Sequence, residues 1–433
     1  MDRVNEIDRI VLEELGSKIT KEQLVEIGIE SVESVISEDK LEIYRERFAE
    51  MSVDELDEVL SLTIKNDRIV KVITFLGMLT AYTEDSQTNI SFNAPTSTGK
   101  SYIPLEISKL FPKEDVIEVS YCSPTGFFHD RGEYDKVRGI KRIDLSRKVL
   151  IFIDQPHSEV LQRLRPLLSH DRKILLFKIT DKNRKGQNKT QNIEVIGFPS
   201  VVFCTAGLKM NEQETTRVLL LSPEITQEKL TSSIQQIIKK QENKDFSDVI
   251  ESNVKRQFLK ERILTIKGLK FKDVVVAGSY LISDYYSQKE LLPGDQRNIV
   301  KLYSIIKGLA LLNFAHREVK DRYVIANEED IKTGIYLWKE IAKYQELGIP
   351  PFIYWFYEQV FLPVYKKKKD GIKKKDLFSY HSRVFSKVLT EKRLRIEILP
   401  QLVNCGLIRE EKDPEDKREK VYFPVGEECD DNI

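Results

Sequence analysis

Eight consecutive residues form the strongest candidate for a chemical site in this chain: Ala94, Pro95, Thr96, Ser97, Thr98, Gly99, Lys100 and Ser101. They match the pattern G-x-x-x-x-G-K-S/T, except that alanine stands in place of the first glycine. In such a loop the backbone N–H groups at a helix N-terminus hold phosphate oxygens, the lysine reaches the β- and γ-phosphates, and the hydroxyl holds Mg²⁺. Because a strand-like run precedes the loop and a helix-like run follows it, the segment predicts a nucleotide-phosphate site. The alternative is a chance turn before a surface helix.

A second candidate group lies at the end of the apolar run Val149–Ile153. Asp154 follows this run, and at the carboxyl end of a buried strand its carboxylate would bind Mg²⁺ directly or through water. Gln155 stands where a glutamate usually orients or deprotonates the attacking water. An amide orients water but cannot accept its proton. Either hydrolysis is slow and the site is a switch, or Gln155 positions water for proton transfer to the phosphate, as a glutamine does in GTPases. Glu159 is an outside candidate for the base.

Two further polar residues accompany strand-like runs. Thr205 ends the run Val201–Thr205, which is predicted to lie between the loop strand and the Asp154 strand. Its hydroxyl would touch the γ-phosphate or the attacking water; a bond to local backbone is the alternative. Arg217 precedes Val218–Leu221 and would stabilise transition-state charge on a neighbouring subunit's nucleotide, or it is a surface arginine. If Arg217 acts in trans, the chain forms an oligomer, for which a ring is the natural closed form.

The chain divides into four regions around these motifs. Residues 1–85 and 226–345 show helical periodicity, residues 86–225 alternate strand-like and helical runs, and residues 350–427 form a smaller unit. Strands separated by helices predict an α/β fold with a mostly parallel sheet. The predicted strands are Asn89–Asn93, Val116–Cys122, Val149–Ile153, Ile174–Thr180, Ile193–Ile196, Val201–Thr205 and Val218–Leu221.

A basic hairpin is predicted inside the α/β region. Its legs are Ile174–Thr180 and Ile193–Gly197, and its polar tip contains a glycine. The charged residues of the tip would neutralise phosphates without reading base sequence; a solvated surface hairpin is the alternative. These residues are Lys182, Arg184, Lys185 and Lys189.

Residues 350–427 suggest a winged helix-turn-helix. The predicted helices are Trp355–Tyr365, Asp376–Val384 and Thr390–Asn404, the last with Thr390 as its N-cap and a bend at Pro400. Leu407–Glu411 and Val421–Pro424 would be the wing strands. A protein-interaction module with solvated lysines is the alternative to DNA contact. The candidate DNA-binding residues are Lys373, Lys374, Lys392, Arg393 and Arg395.

Composition narrows the function classes. Lys and Arg together number 69, as do Asp and Glu, so a uniformly basic nucleic-acid binder is excluded and only local basic patches remain. The 4 cysteines form no C-x-x-C pair, which argues against a zinc site or a disulfide framework. With no signal-like start and no apolar run near the ~20 residues that span a bilayer, we expect a cytoplasmic protein with no membrane partner.

Residues 60–345 resemble the AAA+ motor core of ring helicases that carry a hairpin before the fourth core strand. That group includes the minichromosome-maintenance family and helicase-like proteins of mobile genetic elements. Besides the loop, the resemblance rests on Tyr121–Thr125, Leu150–Pro156, Arg165–Ser169 and Arg297–Leu302. It implies ATP and Mg²⁺ as cofactors, a hexameric ring with single-stranded DNA in its channel, and replication of a mobile element or plasmid. It also implies that Arg297 contacts nucleotide as sensor 2.

Three functions follow as hypotheses. The first is an ATP-driven DNA helicase or translocase that assembles as a ring. The second is an ATP-switched, DNA-binding initiator or regulator in which Gln155 keeps turnover low. The third is a protein remodeller whose C-terminal unit binds a partner. Strand displacement distinguishes the first from the second, and stimulation of ATPase activity by single-stranded DNA counts against the third.

Overall fold

The computed structural model describes residues 36, 38–120, 132–154, 156, 158–181, 189–205, 217–385, 388–414 and 416–425. At residues 158, 179–181, 189 and 190 it describes the backbone alone. Several parts of the predictions lie outside these residues: residues 1–35 and 37 of the helical N-terminal region, the segment Tyr121–Thr125, Gln155, and the hairpin-tip residues Lys182, Arg184 and Lys185.

Among the described residues, three α-helices precede the first strand, in the region where helical periodicity predicts helices. They are α1 (Glu38–Arg47), α2 (Val53–Leu60) and α3 (Arg68–Leu79). A capping box starts α2: the Ser52 side chain accepts from the Glu55 N–H at 3.2 Å, and the Glu55 carboxylate accepts from the Ser52 N–H at 2.8 Å. Helix α3 is buried along almost its whole length, so it forms part of the core behind the sheet.

A five-stranded parallel sheet follows, as the alternation of runs predicts. Four of its five strands are buried throughout, which is typical of a sheet covered on both faces. The strands of residues 86–221 are β1 (Asn89–Asn93), β2 (Val116–Val119), β3 (Glu133–Asp135), β4 (Ile140–Asp144), β5 (Val149–Phe152), β6 (Ile174–Asp181), β7 (Lys189–Ile196), β8 (Ser200–Thr205) and β9 (Leu219–Leu221). The parallel sheet has the order β2-β5-β8-β1-β9, so β8 lies between β1 and β5 as predicted. Helix α4 (Tyr102–Ser108) follows β1, and α5 (Ser158–Leu168) follows β5.

The predicted hairpin is present, and it belongs to a second sheet with the order β3-β4-β7-β6. Strands β6 and β7 pair antiparallel from Ile174 opposite Ile196 to Asp181 opposite Lys189. Strands β3 and β4 were not predicted, because their sequence is rich in charge and has no apolar run. Side chains of β4, β7 and α5 share a second, smaller apolar cluster with the parallel sheet.

The region after β9 is mainly helical but contains three short strands that helical periodicity did not predict. The strand β10 pairs parallel with the distant β12 and so has no local signature, whereas β11 and β12 form a short antiparallel hairpin that was missed. Their order is β10-β12-β11. The elements are α6 (Gln227–Glu242), α7 (Phe246–Glu251), α8 (Val254–Leu269), β10 (Asp273–Val276), α9 (Tyr280–Ser287), α10 (Asp295–Leu312), β11 (Glu318–Lys320), β12 (Tyr323–Ala326) and α11 (Glu328–Glu346).

Two close contacts attach these helices to the core. Gly308 of α10 lies against α3, where an added Cβ would stand 2.8 Å from Leu76 Cβ. Gln345, near the end of α11, is bonded to the last strand of the parallel sheet. Its Oε1 accepts from the Leu220 N–H at 3.1 Å and its Nε2 donates to the Leu220 carbonyl at 2.6 Å. Lys301 also donates to Gln345 Oε1, at 3.2 Å.

The C-terminal unit contains three helical segments and an antiparallel strand pair near their predicted positions. Thr390 caps the third segment as predicted, since its hydroxyl accepts from the Arg393 N–H at 3.3 Å. A π-helical turn precedes both Pro363 and Pro400, where each ring removes a backbone donor from the helix. The segments are α12 (Pro351–Phe356), the turn Tyr357–Phe361 and α13 (Leu362–Lys367); α14 (Lys374–Phe385); α15 (Glu391–Arg393), the turn Leu394–Ile398 and α16 (Leu399–Asn404); then β13 (Ile408–Lys412) and β14 (Lys420–Pro424).

The large apolar cluster runs from α1 to the C-terminal strand pair, so the N-terminal helices, the parallel sheet, the helices after β9 and the C-terminal unit share one core. None of the described helices is both long and apolar enough to cross a membrane.

Candidate nucleotide site

The loop between β1 and α4 has the backbone geometry of an anion-binding turn. Ser97 and Gly99 take positive φ angles of 65° and 94°. Such alternation curls the chain so that successive N–H groups converge on one point. Ala94 is buried and does not take a positive φ, so the first position of the motif accepts a Cβ without strain. The departure from glycine there therefore leaves the loop geometry intact.

Lys100, Ser101 and Asp154 lie at the carboxyl edge of the parallel sheet, where the loop follows β1 and Asp154 follows β5. Burial lowers the pKa of Lys100, while the negative charge of Asp154 opposes this shift. Burial raises the pKa of the Cys204 thiol to about 12, and the nearby Ser101 side chain opposes this shift. The charge of Lys100 lowers the pKa of this thiol, and the charge of Asp154 raises it. A cation, a hydroxyl and a carboxylate thus lie in the neighbourhood of one thiol, and the two oxygen donors are of the kind that Mg²⁺ prefers.

Thr205 lies at the same edge, and its hydroxyl is hydrogen-bonded to the backbone of the neighbouring strand. The hydroxyl is buried and donates to the Phe92 carbonyl at 3.3 Å, in line with the backbone alternative. Next to it, opposite Thr205 in register, is Asn93, whose buried amide has no hydrogen-bond partner for either atom among the described residues. A buried amide left without partners calls for an explanation, and a ligand at the loop would supply one. Sequence reasoning passed over Asn93 because it ends a strand without belonging to the motif.

A cavity of about 360 Å³ adjoins the loop. Its size falls in the range of ~300–1,000 Å³ typical of small-molecule sites, and its walls are mainly apolar, as such sites usually are. The Tyr102 hydroxyl and the Gln236 amide both donate to the Thr63 carbonyl at 2.8 Å, which fixes one rim. Three distant segments build this cavity, so no single stretch of sequence could reveal it. The apolar lining comes from Ile64, Ile103, Ile225, Leu230, Ile237, Phe246 and Ile250.

Arg217 and Arg297 line a different cavity, of about 300 Å³, at the opposite edge of the sheet. Gln87 and Thr88, which lead into β1, line it too, whereas the phosphate loop follows the other end of that strand. Five residues of strand span about 16 Å. Within one chain, these two arginines therefore face away from the loop. Lys301 lies in the same cavity, buried beside Arg297.

The candidate DNA-binding residues of the C-terminal unit do not share one surface. Lys374 and Arg395 line a cleft of about 330 Å³ between the third helical segment and the strand pair, together with Lys420. Lys373 instead forms ion pairs with Asp413 and, at 3.9 Å, with Glu419. Lys392 is exposed. Of Lys189, at the start of β7, the backbone alone is described.

Arg393 is not among the residues that line this cleft. Its guanidinium carbon lies 5.2 Å from the centre of the Phe352 ring, and its Nε lies 3.3 Å from a Glu397 oxygen. Burial is the main cause of the lowered pKa of Lys100. The charge of Arg393 lowers this pKa further, so Arg393 lies within electrostatic range of the phosphate loop. The charge of Arg393 thus acts on Lys100 from a distance, whereas Arg395 lines the cleft of the C-terminal unit.

The remaining candidate base, Glu159, is exposed on α5 and lies 3.7 Å from Arg163 one turn further on. Comparison with known proteins adds no assignment for any of these residues: no family model matches the chain, and no curated protein matches it significantly.

Proposed function

We propose that this chain is an ATP-hydrolysing motor of the AAA+ class that assembles into a ring and moves on DNA. One observation carries the proposal: a curled loop with Lys100 and Ser101 lies beside Asp154 at the carboxyl edge of a parallel sheet in which β8 separates β1 from β5. That edge is where ligands bind in open α/β sheets.

The residues at this edge divide the work of phosphoryl transfer. Loop N–H groups and Lys100 would hold the β- and γ-phosphates and stabilise the charge that develops on them. Ser101 and Asp154 would hold Mg²⁺, which neutralises phosphate charge when bound. Gln155 would orient water through its amide. The adjoining apolar cavity has room for the base and ribose, which supports a nucleotide rather than a simple phosphate as the ligand.

The positions of the arginines support an oligomer. Arg217 and Arg297 share one cavity on the side of the sheet away from the chain's own loop. In a head-to-tail ring of identical subunits, that side of one copy faces the loop side of the next. Both arginines would then complete the neighbour's site, and a hexamer is the ring that the resemblance implies.

Two features support DNA as the partner. The strands β6 and β7 pair along eight residues each, and the basic residues that connect them would follow a phosphate backbone in a ring channel. The cleft with Lys374, Arg395 and Lys420 lies between a helix and a strand pair, the arrangement in which a winged helix contacts duplex DNA.

An ATP-switched initiator or regulator is the second candidate, and the position of Arg393 favours it. A C-terminal unit whose Arg393 charge acts on Lys100 could be reoriented by nucleotide without rapid turnover. With Gln155 in place of a glutamate, turnover near background together with tight ATP binding would select this alternative.

Steady-state ATPase activity with and without single-stranded DNA tests the motor. We expect DNA to stimulate hydrolysis, and Lys100→Ala to abolish it because the phosphates lose their main cation. Lys113→Ala, a change of lysine outside the site, is the matched control. An unstimulated rate unaffected by Lys100→Ala would contradict the proposal.

A further inference from the structure

Helix α6 carries a buried lysine in its first turn, where a lysine is electrostatically unfavourable. The partial positive charge of a helix N-terminus favours acids there and disfavours cations. Thr226 caps the helix, Glu228 follows the usual preference, and Lys229 does not. Lys229 is 8% exposed. Its position therefore needs a reason other than helix stability.

The ammonium of Lys229 joins three separate segments. It donates to the Thr98 carbonyl of the phosphate loop at 3.1 Å and to the Glu224 carbonyl at 3.1 Å. It also forms an ion pair with Asp67, which is fully buried. Asp67 in turn accepts from the Glu224 N–H at 2.7 Å. The network connects the start of α3, the loop and the start of α6, which are far apart in sequence.

The bond to Thr98 controls how the loop presents its next donor. In a planar trans peptide, the carbonyl of one residue and the N–H of the next point in opposite directions. Lys229 holds the Thr98 carbonyl on the side of α6, so the Gly99 N–H must point away from it. Gly99 is itself in the positive-φ region, at 94°, where only this residue type turns freely.

We propose that Lys229 is a positioning residue that fixes the direction of the Gly99 N–H for phosphate and couples the loop to α6, the wall of the base cavity. Asp67 compensates the buried charge of Lys229, so the lysine acts through the loop carbonyl rather than as a further phosphate-binding cation. This inference rests on the proposed nucleotide site. It predicts that phosphate recognition depends on Lys229 while base recognition depends on it much less.

The test compares binding of ATP with Mg²⁺ and binding of adenosine, both by calorimetry on the full chain. We expect Lys229→Met to weaken ATP binding by at least about tenfold and adenosine binding by less than about twofold. Lys239→Met is the matched control, because Lys239 is exposed on the same helix, and it should change neither.

A second variant separates positioning from simple loss of stability. Lys229→Met leaves Asp67 buried without its partner, which can destabilise the fold. The double variant Lys229→Met, Asp67→Asn removes both charges, and we expect the same selective loss of ATP binding. Full ATP affinity in the double variant, or equal losses for ATP and adenosine, would overturn the role of Lys229. If the folded wild-type chain binds no ATP, the proposed function itself fails, which is a different and recognisable result.

Discussion

Lys301 is a buried amine whose protonation should be visible in stability. It is 8% exposed, and burial, with a smaller contribution from the charge of Arg297, lowers the pKa of Lys301 to about 7. In the unfolded chain a lysine titrates near ~10.4. Between these two values the folded chain binds fewer protons than the unfolded chain, so raising the pH stabilises the fold.

We therefore expect the free energy of unfolding to gain a contribution of up to about 1.4 kcal/mol per pH unit as the pH rises from 7 towards 10. Lys301→Met should remove this contribution, because no proton is released there on folding. Urea denaturation of both chains at pH 7, 8 and 9 measures the difference. Parallel pH dependences would show that Lys301 is not the group responsible. Lys307→Met, a neighbouring and less buried lysine on the same helix, is the control.

Two arginines two positions apart in the third helical segment of the C-terminal unit have different surroundings. Arg393 stacks on Phe352 near Lys100, whereas Arg395 lines the cleft with Lys374. We expect Arg393→Ala to weaken nucleotide binding by roughly 3–10-fold, the effect of one charge-assisted contact. It should leave DNA affinity unchanged.

Arg395→Ala should do the opposite. It should lower DNA affinity and reduce the salt dependence of binding by about one phosphate contact. Nucleotide titrations and DNA titrations at two salt concentrations on both variants decide this. If both variants lose DNA affinity equally, the segment is a uniform DNA-reading helix and Arg393 has no separate role.

The contact between α10 and α3 depends on the absence of a side chain at Gly308. A methyl group there would stand 2.8 Å from Leu76 Cβ and 3.1 Å from the Leu76 carbonyl, so a helix must shift. We expect Gly308→Ala to destabilise the fold by about 1–2 kcal/mol, because overpacking outweighs the helix propensity of alanine.

Gly268 of α8 is the matched control, since a Cβ added there meets no atom within 4 Å. Gly268→Ala should stabilise by about 0.5–1 kcal/mol through propensity alone. Thermal unfolding of the two variants shows whether each substitution raises or lowers the stability of the fold. Destabilisation by both would mean that backbone geometry, and not the α10–α3 contact, determines the effect.

At the scale of the whole molecule, the separation of the arginines from the loop predicts complementation between inactive subunits. Lys100→Ala lacks a working site but keeps its arginines, and the double variant Arg217→Ala, Arg297→Ala has the reverse defect. Each alone should lose roughly 10³-fold in ATPase rate. A 1:1 mixture should recover up to about a quarter of the wild-type rate. In a randomly mixed ring, about a quarter of the interfaces place an intact loop beside a neighbour with intact arginines.

The mixture must be shown to co-assemble, for example by pull-down of a tagged partner. Co-assembly without recovery would mean that the arginines do not act in trans. The control is each variant alone at twice its concentration. Recovery of activity there would indicate an effect of concentration rather than complementation.

The features that the sequence predicted are those with local signatures. The spacing of Gly99, Lys100 and Ser101 identifies the loop, and apolar runs identify the five parallel strands and the legs of the hairpin. The position of β8 beside β1 was predicted through the resemblance. Thr390 was found because an N-cap is defined by a few consecutive residues.

The features that were missed depend on residues distant in sequence. Lys229 and Thr98 are 131 positions apart, and neither residue type alone indicates that they meet. The base cavity is assembled from three segments, and β3 with β4 contains too much charge to suggest a strand. The lysine at the start of α6, opposed to the helix dipole, was the one local sign of the network.

Gln345 has a consequence for how copies of this chain can associate. Along a strand, alternate residues direct their backbone groups to opposite sides, so in the three-residue strand β9 Leu220 alone faces outward from β1. The Gln345 amide binds both the N–H and the carbonyl of Leu220, as a single rung of an additional strand would. Within the part of the chain that the structure describes, the outward-facing backbone groups of β9 are therefore already bonded and offer no template for another strand. Copies that meet here must recognise one another through side chains. Such contacts can be exchanged between subunits without breaking the hydrogen bonds of a β-sheet.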